Sequence, residues 1–126
     1  MDLNQVTLPS SNIENSIEFY KKLGLTLIVH THDAYCRFEL PNGNATFSLH
    51  LVDEIQPNNG TWIYFEIEDL DEEVKRLKQN GIELEQMPKD EPWLWREAKL
   101  NDPDGNKIIL YKAGENRKNP PWRKTI

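Results

Sequence analysis

A single cysteine, Cys36, stands among 126 residues. One thiol excludes an internal disulfide and any paired-cysteine metal or redox motif, which fits a reducing compartment. No apolar stretch approaches the roughly 18 residues of a membrane span. The opening Met1-Asp2-Leu3-Asn4 has neither the basic cluster nor the apolar segment of a signal peptide. The expectation is a cytoplasmic protein without a membrane partner. Basic residues are scarce over 1–111, where 10 Lys and Arg face 20 Asp and Glu. A nucleic-acid groove needs clustered Lys and Arg to displace counterions, so that partner is excluded. Residues 112–126 reverse the sign, with five basic side chains against Glu115. What remains is 37% hydrophobic and 29% charged. That suffices for a core under a wet surface and excludes disorder, with 1–126 read as a single domain.

The chain repeats itself. At an offset of 57 residues, Asn12 lies over Asp69, Ile13 over Leu70, Ile17 over Val74, Tyr20 over Leu77 and Gly24 over Gly81. The same offset places Gln5 over Trp62, and Val6 and Leu8 over Ile63 and Phe65. Each half reads as a short strand (5–8 and 62–67), then a helix with an apolar stripe at i, i+4, i+7. Asn12 and Asp69 are N-cap residues, with capping-box spacings at Asp69/Glu72 and Ser11/Glu14. Gly24 and Gly81 stand where a helix end needs a left-handed residue. Three further strands follow in each half: 25–31, 35–40 and 46–52, then 82–86, 93–100 and 107–112. Pro41-Asn42-Gly43 and Asp102-Pro103-Asp104-Gly105 supply hairpin turns. Residues 56–60 read as the linker, and Pro88 and Pro92 as brackets of a loop. The architecture is α+β, with βαβββ modules at 3–52 and 62–112 and a basic tail at 113–126 that carries Pro120, Pro121 and Trp122. One such module cannot bury both faces of its sheet, so two must pair, leaving a U-shaped, partly open, barrel-like groove.

The helix motif Ser16-Ile17-Glu18-Phe19-Tyr20…Leu23-Gly24, with Asp102-Pro103-Asp104-Gly105-Asn106 at the end of the second module, resembles the vicinal oxygen chelate superfamily. That superfamily contains glyoxalase I, the bleomycin- and fosfomycin-resistance proteins and the extradiol dioxygenases. The resemblance spans about residues 3–112. It implies a divalent metal held by side chains of the first and last strand of each module, and a chain that dimerises, sometimes by exchanging modules. Carried onto this sequence, the ligand positions are Gln5, Ser48, Trp62 and Ile109. Glutamine can ligate, serine is a poor ligand, and indole and isoleucine cannot ligate at all. His50, on the face of Ser48, is the one nearby substitute, and Gln5 with His50 makes two ligands, too few for a tight site. No cofactor is expected, and the sequence argues against a glyoxalase I centre.

Strand alternation turns Gln5, Thr7, Trp62, Tyr64 and Glu66 away from the helices. Trp62 in a ligand position reads as a stacking wall for a flat ligand or as filler of a vanished metal site. Glu66 is a candidate base, or else the partner of Arg37 or Arg96 in an ion pair. Trp93 and Trp95 share one strand face and read as ligand or dimer surface, or as core. His30 and His32 share another face at a strand end, and Cys36 faces its helix. The ligand-binding set is Gln5, Thr7, Ser48, His50, Trp62, Tyr64, Glu66, Trp93, Trp95, Ile109 and Tyr111. Three functions compete: a homodimeric protein binding a small, partly aromatic ligand, as the resistance proteins do; a lyase or isomerase with a substitute metal site, or metal-free through Glu66; and a partner-association protein with a filled groove.

Overall fold

The structure, a computed structural model, describes residues 1–56 and 60–124, so most of the linker expected at 56–60 lies outside the described residues. The chain divides into two compact units, Met1–Gly60 with Asp102–Asn106, and Thr61–Asn101 with Lys107–Ile126. It is α+β: each unit holds one helix and one four-stranded mixed sheet.

In the first unit, β1 (Gln5–Ser10) leads into α1 (Ile13–Leu23), followed by β2 (Thr26–Thr31), β3 (Tyr35–Glu39) and β4 (Thr46–Leu51). The sheet order is β1-β4-β3-β2, with β1 and β4 parallel and the other pairs antiparallel. Asn12 caps α1 by accepting a hydrogen bond from the Asn15 N–H at 3.1 Å. Gly24 ends the helix at φ 114°, a conformation that L side chains resist. The stripe Ile13, Ile17, Tyr20 and Leu23 is buried with Leu8, Cys36, Phe38, Phe47 and Leu49. Tyr20 lies 4.8 Å from Phe47 and 5.9 Å from Phe38, ring centre to ring centre.

A buried phenol needs a partner for its hydroxyl, and the Asp102-Pro103-Asp104-Gly105-Asn106 turn supplies one. The Tyr20 hydroxyl donates to Asp102 Oδ2 at 2.7 Å. Asp102 also accepts from the backbone N–H of Asp104 and Asn106, both at 2.9 Å, and from Asn106 Nδ2 at 2.8 Å. Asn106 donates to the Pro9 carbonyl, and Asp104 accepts from the Ser11 N–H. Ser11 is therefore bound to this turn and takes no part in a capping box.

The second unit repeats the order with β5 (Trp62–Glu66), α2 (Leu70–Gln79), β6 (Gln86–Asp90), β7 (Arg96–Asn101) and β8 (Lys107–Lys112), the sheet running β5-β8-β7-β6. Leu70, Val74 and Leu77 of α2 are buried with Ile82, Ala98, Leu100, Ile108 and Leu110. Gly81 follows α2 at φ 89°, as its place in the repeat requires. Asp69 stands at the N-cap but makes no side-chain capping bond, so the capping box expected with Glu72 does not form.

Three expectations are corrected here. The sixth strand runs over Gln86–Asp90 rather than 82–86, and Pro88 lies inside it. Proline has no N–H to donate, yet it is tolerated because β6 is an edge strand whose register slips between Gln86 and Lys89. The seventh strand begins at Arg96, not at 93. Trp93 and Trp95 precede it, in a turn closed by the Leu94 N–H on the Glu91 carbonyl, with Leu94 at φ 69°. His32 and Asp33 also turn with positive φ, which removes His32 from the strand of His30. Among the described residues, no helix is long and apolar enough to cross a membrane.

Candidate functional site

In each unit the helix covers one face of the sheet, and the chemistry lies on the other. Parallel pairing sets Gln5 beside Thr46 and Thr7 beside Ser48, while β3 sets Arg37 opposite Ser48 and Tyr35 opposite His50. The side chains knit into a hydrogen-bonded chain. Gln5 Nε2 donates to Ser48 Oγ at 2.7 Å, Ser48 Oγ shares a 2.7 Å bond with the Tyr35 hydroxyl, and Arg37 Nε donates to that hydroxyl at 2.9 Å. Gln5 Nε2 also reaches Thr7 Oγ1, and Gln5 Oε1 accepts from the Thr46 hydroxyl. Ser48 is fully buried and His50 exposed. Alternation pointed to Gln5, Thr7, Ser48 and His50. It did not point to Tyr35 and Arg37, whose part depends on the pairing of β3 with β4.

On the second sheet, Tyr64 sits beside Ile109 and Glu66 beside Tyr111. Trp95 stacks on Tyr111 with ring centres 4.7 Å apart, and Tyr64 meets both rings edge-on. Ile109, Tyr111 and Ala113 form a small buried cluster against Trp95. Trp62 and Tyr64 remain 49% and 40% exposed, and the Lys99 ammonium lies 5.8 Å from the centre of the Trp62 ring. Trp93 donates its indole N–H to Glu97 Oε2 at 2.7 Å, and Glu97 is itself only 2% exposed. Burial, helped by the Glu97 charge, pushes the Tyr64 phenol up; burial and then Glu66 do the same to Tyr111.

Glu66 is engaged elsewhere than expected. Its Oε2 accepts from the backbone N–H groups of Ala113 and Gly114, both at 3.1 Å, capping a short 3-10 turn over Gly114–Asn116. Its ion-pair partner is Arg117, with Nε 3.8 Å from Oε1, and not Arg37 or Arg96. Arg96 pairs with Asp71 and Asp90. Trp95 donates its indole N–H to the Asn116 carbonyl. The start of the tail is therefore docked on this face through Glu66 and Trp95, while Trp122, further along the tail, is 58% exposed. A cavity of about 480 Å³ adjoins Trp95, lined by Glu91, Leu94, Arg96, Lys112 and Ala113 among others. Of the anticipated ligand-binding residues it includes Trp95 alone.

The residues in the implied metal positions do not fit a metal. The Gln5 carbonyl oxygen is taken by Thr46, and Ser48 by Gln5 and Tyr35. Trp62 and Ile109 offer no lone pair suited to a divalent ion. Among the described residues, no three His, Cys, Asp or Glu side chains come together. Of the histidines considered, His30 bonds Asp33 at 2.7 Å.

The profile of the Glyoxalase/Bleomycin resistance protein/Dioxygenase superfamily matches residues 2–110. The chain belongs to this superfamily. Among curated relatives, the trivalent organoarsenical cleaving enzyme of Bacillus sp. (strain MD1) is 31% identical, over 96% of this chain and 81% of that one. A glyoxalase/bleomycin resistance protein/dioxygenase from Nocardioides superposes with a TM-score of 0.78 at 23% identity, covering 99% of this chain and 90% of that one. A bleomycin-binding protein crystallised with bleomycin superposes at 0.74 and 20% identity, covering 89% and 98%. At these identities the structural matches speak to fold alone.

Proposed function

We propose that this superfamily member binds a small organic molecule with an aromatic part, and that the helix-free face of its second sheet receives the aromatic part. One observation carries the reading: Trp62 and Tyr64 stand two residues apart on β5, each about half exposed, and Tyr64 meets the partly buried Tyr111–Trp95 stack edge-on. Exposed indole and phenol rings fixed on a rigid strand bury much apolar area at small entropic cost when a flat ligand covers them. The bleomycin-bound relative in fold supports a binding role. A lyase or isomerase function has less support, since Trp62 and Ile109 offer no metal donor, the Gln5 and Ser48 oxygens are hydrogen-bonded within the protein, and Glu66, the candidate base, has its oxygens committed to Ala113, Gly114 and Arg117. Nor does the chemistry named for the organoarsenical relative carry over. Trivalent arsenic is a soft, thiolate-seeking centre, and the one thiol here, Cys36, is fully buried.

Tryptophan fluorescence tests the reading, with bleomycin as first probe and planar aromatic compounds after it. A bound ligand quenches or shifts the emission, and Trp62→Ala weakens its affinity by about 1–3 kcal/mol, as buried aromatic anchors do. Undiminished affinity in Trp62→Ala defeats the reading. A face that no small molecule touches hands the role to partner association.

A further inference from the structure

The polar chain on the first sheet has a surplus of hydrogen-bond donors. Tyr35 and Ser48 carry two hydroxyl hydrogens and share one hydrogen bond, so one hydrogen is left for something outside the pair. Neither neighbour can accept it, because Arg37 Nε and Gln5 Nε2 both approach as donors. The one carbonyl oxygen in the group, Gln5 Oε1, is already engaged by Thr46. A guanidinium has five N–H donors, and among the described residues only Nε of Arg37 is used in a hydrogen bond. Among the described residues Arg37 makes no ion pair, although acidic side chains outnumber basic ones in this chain. Nor is the guanidinium loose: its carbon lies 5.5 Å from the centre of the Tyr35 ring, and the Nε bond fixes its plane. A half-buried arginine held in place with its outer edge unspent, beside a hydroxyl with a hydrogen to give, lacks one thing, a multidentate acceptor.

We propose that Arg37, Tyr35 and Ser48 of the first module form a binding site for an oxyanion, a carboxylate or a phosphate group. The guanidinium edge supplies charge and paired N–H donors, and the hydroxyl pair supplies a further donor, from Tyr35 or from Ser48. Where relatives in this fold would be expected to present metal ligands, this chain presents donors aimed at a negative group. The proposal rests on residues of the first module alone and is read out by them, whereas the aromatic face is read out by Trp62.

Proton–nitrogen correlation spectra of the full chain follow the Arg37 Nε–H and the backbone amides of Tyr35 and Ser48. Inorganic phosphate or sodium acetate is added at constant ionic strength, with chloride as the control. The expected result is a saturable shift of all three signals with at least one of the two anions, the tighter one naming the class. Arg37→Gln weakens the saturable binding, followed on the backbone amides, at least about tenfold, the loss of a charge-assisted pair. Tyr35→Phe keeps the charge and weakens it several-fold, and decides the matter should Arg37→Gln fail to fold. Shifts that grow linearly without saturating, or that persist undiminished in both Arg37→Gln and Tyr35→Phe, overturn the proposal.

Discussion

Removing the carboxylate of Asp102 should strongly destabilise the first unit, because four donors converge on it. Tyr20→Phe takes away one of them, the 2.7 Å hydroxyl bond, and leaves the Asp104 N–H, the Asn106 N–H and Asn106 Nδ2 in place. A hydrogen bond to a charged group contributes about 1.5–3 kcal/mol, so that is the expected loss. Asp102→Ala deprives all four at once. Asp102 is 5% exposed and Tyr20 wholly buried, so the phenol hydroxyl cannot turn to water, and the expected loss rises to about 3–5 kcal/mol. Against a total stability of roughly 5–15 kcal/mol that is a large share. The double variant should cost less than the two single ones together, by about 1.5–3 kcal/mol, because the same bond is lost in both. Urea unfolding followed by circular dichroism and tryptophan emission measures this. With a slope of about 1–3 kcal/mol per molar, Tyr20→Phe lowers the midpoint by about 1 M at unchanged slope. A coupling energy below about 0.5 kcal/mol would show that the turn does not hold Tyr20, and the reasoning would be wrong.

Burial, with the Asp102 charge beside it, holds the Tyr20 phenol well above its ordinary value of 10. Unfolding restores the ordinary value, so the stability linked to this group is complete below about pH 10 and declines as pH rises beyond it. Tyr20→Phe should flatten that alkaline decline, leaving the smaller slope due to Tyr64 and Tyr111; an unchanged decline counts against the assignment. Burial also pushes the Cys36 thiol up from 9.0, so a disulfide reagent should meet almost no reactive thiol in the native protein and about one per chain in denaturant. Rapid native reaction would mean that Cys36 is not held under α1. Supplied with Ni or Zn, the chain should not isomerise a glutathione hemithioacetal above background, and turnover of about 1 per second or faster would show that the metal positions are misplaced.

Much of this molecule is legible in the chain itself. The helices, their terminal glycines and strands such as Lys107–Lys112 follow from patterns repeated within a few residues, since apolar periodicity and the freedom of glycine at positive φ act locally. That Trp62 matches Gln5 is likewise a matter of counting along the repeat, while its place among the metal-ligand positions is what the superfamily resemblance implies. Other features required the tertiary structure. Trp93-Leu94-Trp95 has strand-forming composition, yet Leu94 adopts φ 69° and the strand starts at Arg96. Pro88 looks like a strand breaker, yet β6 lies at an edge where one missing N–H costs little. Glu66 meets backbone groups 47 and 48 positions away, and Asp102 meets Tyr20 82 positions away. Gln5, Tyr35, Arg37 and Ser48 become one chain of hydrogen bonds only because β4 lies between β1 and β3 in one particular register. Hydrogen bonds reach about 3 Å. Which groups come that close is settled by how the strands align, which no local stretch of sequence specifies.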